Sequence, residues 1–145
     1  MSLNNFHSAW TPRVLGVLRI TIGFLFTAHG TQKLFNYPAS VSGPAELLSF
    51  MGFAGVLEVV GGLMIIAGLF TRITAFILSG MMAVAYFMAH APAGFLPMVN
   101  KGEAAVLYSF VFLYLAFAGG GAFSLDGLLR RRNIPMPANA AVEAA

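Results

Sequence analysis

The chain contains no cysteine. That excludes a disulfide framework, a thiolate metal site and a thiol–disulfide relay within the chain. Any redox chemistry must use a bound cofactor, a quinone or a partner protein. Charge is scarce too. Asp, Glu, Lys and Arg make up 9% of the 145 residues, against about 25% in an average soluble domain. A water-soluble bundle needs polar outer faces, and the apolar segments here have none. What the chain has instead is 59% hydrophobic residues, with fourteen Phe, sixteen Gly and eight Met. These suit lipid-facing surfaces and close helix contacts. The composition indicates an integral membrane protein.

The net charge of +3 gives a sequence pI near 9.7. It does not point to nucleic acid, because the basic residues sit at segment ends and no aromatic–basic patch accompanies them. Residues 1–12 read as a short polar leader, with Trp10 as an interface anchor and Pro12 near a helix start. Four apolar spans follow, at about residues 14–35, 47–70, 72–90 and 103–121. Each is long enough for a hydrocarbon core of about 30 Å. Residues 13–127 thus form one membrane domain, and 128–145 form a basic and then disordered tail. Thr71 to Thr74 is expected to turn between the second and third spans. The fold class is all-α, an integral membrane four-helix bundle. Arg13, Arg19, Arg72 and Arg130 to Arg132 gather on one side, against Lys33 and Lys101 on the other. By the positive-inside rule both termini are cytoplasmic.

Gly16, Gly23 and Gly30 recur every seven residues and mark a face that another helix can approach. Arg19, Phe26 and Lys33 fall near the same stripe. In the second span Glu58 and Gly62 share a face, with Gly61 beside them. In the third span Arg72, Ala75, Ser79, Ala83, Tyr86 and His90 form a small or polar stripe that points into the bundle. In the fourth, Glu103, Phe110, Tyr114 and Phe117 share a face.

Depth follows from 1.5 Å per residue. Glu58 lies about 21 Å above Arg72 along a helix, and His90 about 27 Å above it. His29, Lys33, Glu58, His90, Asn100, Lys101 and Glu103 therefore converge in the outer third. An ionisable group at such depth is costly, and it marks a functional site by default. Plainer readings stand beside this. Lys33 and Lys101 snorkel to the interface, the histidines satisfy the bundle, Glu103 caps a helix start, and Arg72 only sets topology. Three functions fit the cluster. One is a pocket for a quinone or similar small redox ligand. Glu58 and His90 would handle protons there, and His29, Lys33, Tyr86, Asn100, Lys101 and Glu103 would bind the ligand. The second is an assembly or binding subunit for a soluble redox partner. The third is haem held by His29 and His90. No complete catalytic motif of known mechanism is present, no metal site is assigned, and homo-oligomers are compatible with the pattern.

Five short motifs occur in order. They are His29-Gly30-x-x-Lys33-Leu34-Phe35, Leu57-Glu58-x-x-Gly61-Gly62, Gly68-Leu69-Phe70-Thr71-Arg72, His90 with Gly94-Phe95, and Asn100-Lys101-Gly102-Glu103. In these the chain resembles the DoxX family over about residues 13 to 127. The resemblance implies a small four-helix protein of the bacterial inner membrane. It also implies kinship with the quinone-reducing subunit of thiosulfate:quinone oxidoreductases, and links to quinone or catechol stress and to membrane complexes with soluble redox partners. The first loop is short for the family.

Overall fold

The computed structural model describes residues 3–132. The Ala- and Pro-rich stretch beyond residue 132, expected to be disordered, lies outside the described residues. Six α-helices follow in order: α1 Leu3–Phe35, α2 Phe50–Ala67, α3 Thr71–Ala85, α4 Pro97–Asn100, α5 Glu103–Ala118 and α6 Leu125–Arg132. A π turn, Tyr86–His90, and a 3-10 turn, Ala91–Ala93, prolong α3. Three helical stretches are long and apolar enough to cross a membrane, within α1, α2 and the prolonged α3. The 16-residue α5 is apolar but shorter, at about 24 Å. The architecture is an all-helical membrane bundle.

Local chemistry explains the boundaries. Helix α1 has 33 residues and includes Pro12, so the expected leader is helical from Leu3 and Pro12 lies inside the helix. Pro12 cannot donate to the carbonyl four residues back, but its own carbonyl accepts from the Ala122 amide at 2.7 Å. Ser49 starts α2, its hydroxyl accepting from the Gly52 amide at 3.0 Å. Gly68 stops α2 in the left-handed region at φ 67°. A Cβ there would lie 2.5 Å from Ser124 Cβ. The turn between α2 and α3 is thus Gly68 to Phe70, and Thr71, expected within it, already begins α3.

The bundle is built of two tight pairs, α1 with α2 and α3 with α5, while α2 touches α3 more lightly. The glycine stripe carries the first pair. A Cβ on Gly23 would meet Ile66 N at 2.9 Å, and one on Gly30 would meet Val59 N at 2.7 Å. Backbones approach this closely only where side chains are absent. The second pair is joined by a reciprocal bond: Ser79 Oγ donates to Ser109 O at 2.8 Å, and Ser109 Oγ to Ser79 O at 3.1 Å. Phe26 joins the pairs, its ring 5.1 Å from that of Tyr108 and 4.8 Å from that of Phe112. On α5 the buried face is Ala105, Tyr108, Phe112 and Leu115, and Phe110, Tyr114 and Phe117 face outward.

One end of the bundle is locked by hydrogen bonds to helix termini. Arg19 is fully buried. Its guanidinium donates to Ile65 O and Ile66 O at the end of α2, to Gly120 O at 2.8 Å and to Phe123 O at 2.9 Å. Arg72 donates to Phe117 O at 2.7 Å, at the end of α5. Each arginine reaches carbonyls at a helix C-terminus, where the helix dipole also favours a cation. Arg19 and Arg72, each followed by Ile-Thr in the sequence, therefore do the same work, one in each helix pair. Asp126 answers from α6, accepting from the Phe70 and Thr71 amides at 2.8 Å each. That caps the start of α3.

Candidate functional site

At the other end the two pairs part. A cavity of about 530 Å³ lies between them, lined by residues of α1, α2, α3 with its π turn, and the start of α5. Its size suits a small organic ligand. Most of the lining is apolar. Phe50, Met51 and Phe53 of α2 and Val84 and Met88 of the third span line the cavity and are also exposed on the bundle surface. The mouth is thus flanked by α2 and the third span, on an apolar outer face of the bundle.

The polar lining comes from His29, Lys33, Glu58, His90, Lys101 and Tyr108. Glu58 is 3% exposed. Its Oε1 forms an ion pair with Lys33 Nζ, which ties α2 to α1. Its Oε2 has no hydrogen-bond partner. Among the described residues just one other buried side-chain oxygen is in that state, Thr71 Oγ1, near the locked end. Gly55 lets α1 approach closely beside the pair, since a Cβ there would lie 3.0 Å from Leu34 Cδ2 and 3.2 Å from Lys33 Cβ. His29 is exposed on α1 and meets the edge of Tyr108, with ring centroids 5.8 Å apart.

The π turn sets His90. Such bulges often mark functional positions, because one extra residue re-aims the side chains beyond it. His90 Nδ1 lies 3.1 Å from the Asn100 carbonyl oxygen. A carbonyl can only accept, so this bond requires the proton on Nδ1 and leaves Nε2 as the acceptor of the neutral ring. Asn100 is the knot of the loop. Its Nδ2 donates to Gly94 O at 2.6 Å and to Tyr86 Oη at 3.3 Å, and its Oδ1 accepts from the Gly102 amide at 2.8 Å. Tyr86 Oη donates in turn to Phe95 O.

Of the eight expected site residues, five line the cavity: Glu58, His90, His29, Lys33 and Lys101. Tyr86 and Asn100 are buried in the clasp that fastens the loop, and Glu103 is exposed in the first turn of α5. These three do not line the cavity. Two residues were missed. Tyr108 lines the cavity from the face it shares with Ala105 and Phe112, opposite the expected face of Phe110, Tyr114 and Phe117. Arg19 was counted among the arginines that set the cytoplasmic side. Its place near the stripe of Phe26 and Lys33, beside the glycines, was the sign that it faces another helix.

Outside the spans, burial pushes the Asp126 carboxyl up. The amides of Thr71 and Phe70 and the nearby Arg130 outweigh it and hold the group below the ordinary Asp range.

Fold and site together define a multi-pass α-helical membrane protein with a mostly apolar cavity, lined by a few polar side chains, at one end of the bundle. The DoxX family model matches residues 14–91, and the chain belongs to that family. An uncharacterized protein of Haemophilus influenzae is 43% identical over 129 residues, covering 86% of this chain and 96% of its own. The inner membrane protein YqjF of Escherichia coli is 33% identical, covering 80% and 92%. An uncharacterized membrane protein of Mycobacterium tuberculosis is 28% identical, covering 87% and 86%. No solved structure matches the chain significantly.

Proposed function

We propose that the chain binds a quinone-type small redox ligand in this cavity and handles the protons that accompany its redox change. The observation that carries the reading is Glu58, a buried carboxylate with one oxygen paired to Lys33 and the other unpartnered, on the wall of a ligand-sized void. A carboxylate at membrane depth is retained at a cost, so both oxygens should have work. Lys33 and Lys101 donate to ring oxygens. His90, its Nδ1 held by the loop, offers Nε2 for proton transfer, a role imidazole suits near neutral pH. His29 and Tyr108 frame the ring. An isoprenoid tail lies along Phe50, Phe53 and Met88 at the lipid-facing mouth. Electrons come from a soluble redox partner. The arginines mark the cytoplasmic side, which puts both termini in the cytoplasm and the cavity in the outer leaflet of a bacterial inner membrane. Residues 1–12 and 128–145 are then cytoplasmic.

The test is equilibrium binding of a radiolabelled short-chain benzoquinone to the purified chain in detergent. Wild type should bind saturably. Ala85→Phe, which puts a ring into the cavity from its wall, should not. A folded wild type that binds nothing refutes the reading. The Lys33–Glu58 bond itself favours a second one, in which the pair locks α1 to α2 in an assembly subunit. In that case Glu58→Gln lowers stability or partner recovery, and wild type binds no quinone.

A further inference from the structure

We infer that the cavity is built to hold the reduced, hydroxyl-bearing form of its ligand, a quinol, in preference to the quinone; this deepens the quinone reading and rests on it. An ionised carboxylate accepts hydrogen bonds and donates none. Glu58 Oε1 is taken by Lys33, and Oε2 has no partner. The terminal torsion of Glu is broad, so a small rotation of the carboxylate presents Oε2 to the void that Glu58 lines. What satisfies it must bring an O–H or N–H.

The two redox forms differ in this respect. A quinol oxygen donates its own proton and accepts another. One such oxygen can give its proton to Glu58 Oε2 while it takes a hydrogen from Lys33. A quinone oxygen can only accept. It can use Lys33, but it faces Glu58 acceptor to acceptor and leaves Oε2 unsatisfied, now sealed from water as well. The other polar groups do not discriminate. Lys33 and Lys101 donate to the oxygens of either form. Tyr108 can donate or accept. His90 Nε2 and the His29 ring change role with their protons. Glu58, ion-paired to Lys33 with its second oxygen open, is therefore the acceptor that tells the forms apart. An orphaned buried acceptor weakens binding by about tenfold or more.

Three ligands of one ring shape test this on the full chain in detergent, under argon: a short-chain benzoquinone, its quinol, and the quinol dimethyl ether, whose oxygens accept but cannot donate. The quinol should bind about tenfold or more tighter than the other two. In Glu58→Gln, where an amide replaces that acceptor, the advantage should shrink to about threefold or less. Equal or tighter binding of the quinone by wild type overturns the inference and leaves the ligand reading standing. A quinol advantage that survives in folded Glu58→Gln overturns the assignment to Glu58. Failure of all three ligands to bind sinks both. If Glu58→Gln does not fold, the wild-type comparison decides alone: a quinol advantage over both partners supports the inference, and its absence overturns it.

Discussion

Replacing Arg19 by Met should be among the most damaging single changes in the chain. Met fills a similar length without charge or donors. The change removes the donor to Ile65 O, Ile66 O, Gly120 O and Phe123 O at once. Ile65 O keeps an amide partner in Gly68 at 3.1 Å. The others are part-buried, and the arginine that reaches them is itself fully buried. Each bond from a charged donor is worth about 1.5–3 kcal/mol, but losses within one network are not additive. Disruption of a buried charged network typically costs about 3–5 kcal/mol. At roughly 3 °C per kcal/mol, the melting temperature should fall by about 10–15 °C. Circular dichroism of the purified protein in one detergent measures it. Arg19→Lys should fall between, because an ammonium has three donors and cannot reproduce the planar fork. An Arg19→Met protein that melts within about 2 °C of wild type would refute the reasoning, since surface charges cost about that little.

Other perturbations follow from single contacts. Gly62→Ala puts a Cβ 2.3 Å from Thr27 Oγ1 and 2.9 Å from the Thr27 amide, so it should destabilise by about 1–3 kcal/mol. Gly80→Ala meets nothing within 4 Å and should stabilise by about 0.5–1 kcal/mol; the same melting assay reads both, and equal effects would contradict the close approach of α1 and α2. Asp126 is held below its ordinary range in the fold, so its contribution is complete above about pH 4 and lost as pH falls through the folded-state value. Stability measured against pH should lose part of its acid limb in Asp126→Asn, and an unchanged limb would count against the capping role. Asn100→Leu strands the Gly94 carbonyl and leaves the Gly102 amide with Pro97 O alone; hydrogen exchange should quicken across residues 91–102 and not in α2, whereas uniform change would mean the clasp is not local.

The glycine stripe on α1 was legible because spacing alone places small residues on one helical face, and close packing is what small residues permit. The convergence of Glu58, His90, His29, Lys33 and Lys101 was legible through depth, since helical rise converts residue number into height. The limits were contextual. Sequence places Arg19 near a buried stripe, but its role depends on carbonyls supplied by chain ends at residues 65–66 and 120–123. The face of α5 depends on which partner it meets, so Tyr108 and Tyr114 look alike until α3 and Phe26 are in place. Tyr86 and Asn100 were expected at a ligand. They instead satisfy the backbone of a loop, a role visible only once Gly94, Phe95 and Gly102 surround them.

The central claim is that the cavity beside Glu58 holds a quinone-type ligand. Native mass spectrometry of the protein extracted gently from its membrane tests it most directly. Wild type should carry a bound mass that collisional release identifies as a quinone or quinol, and Ala85→Phe should be free of it. A wild type of bare chain mass, or the same adduct on Ala85→Phe, would contradict the claim.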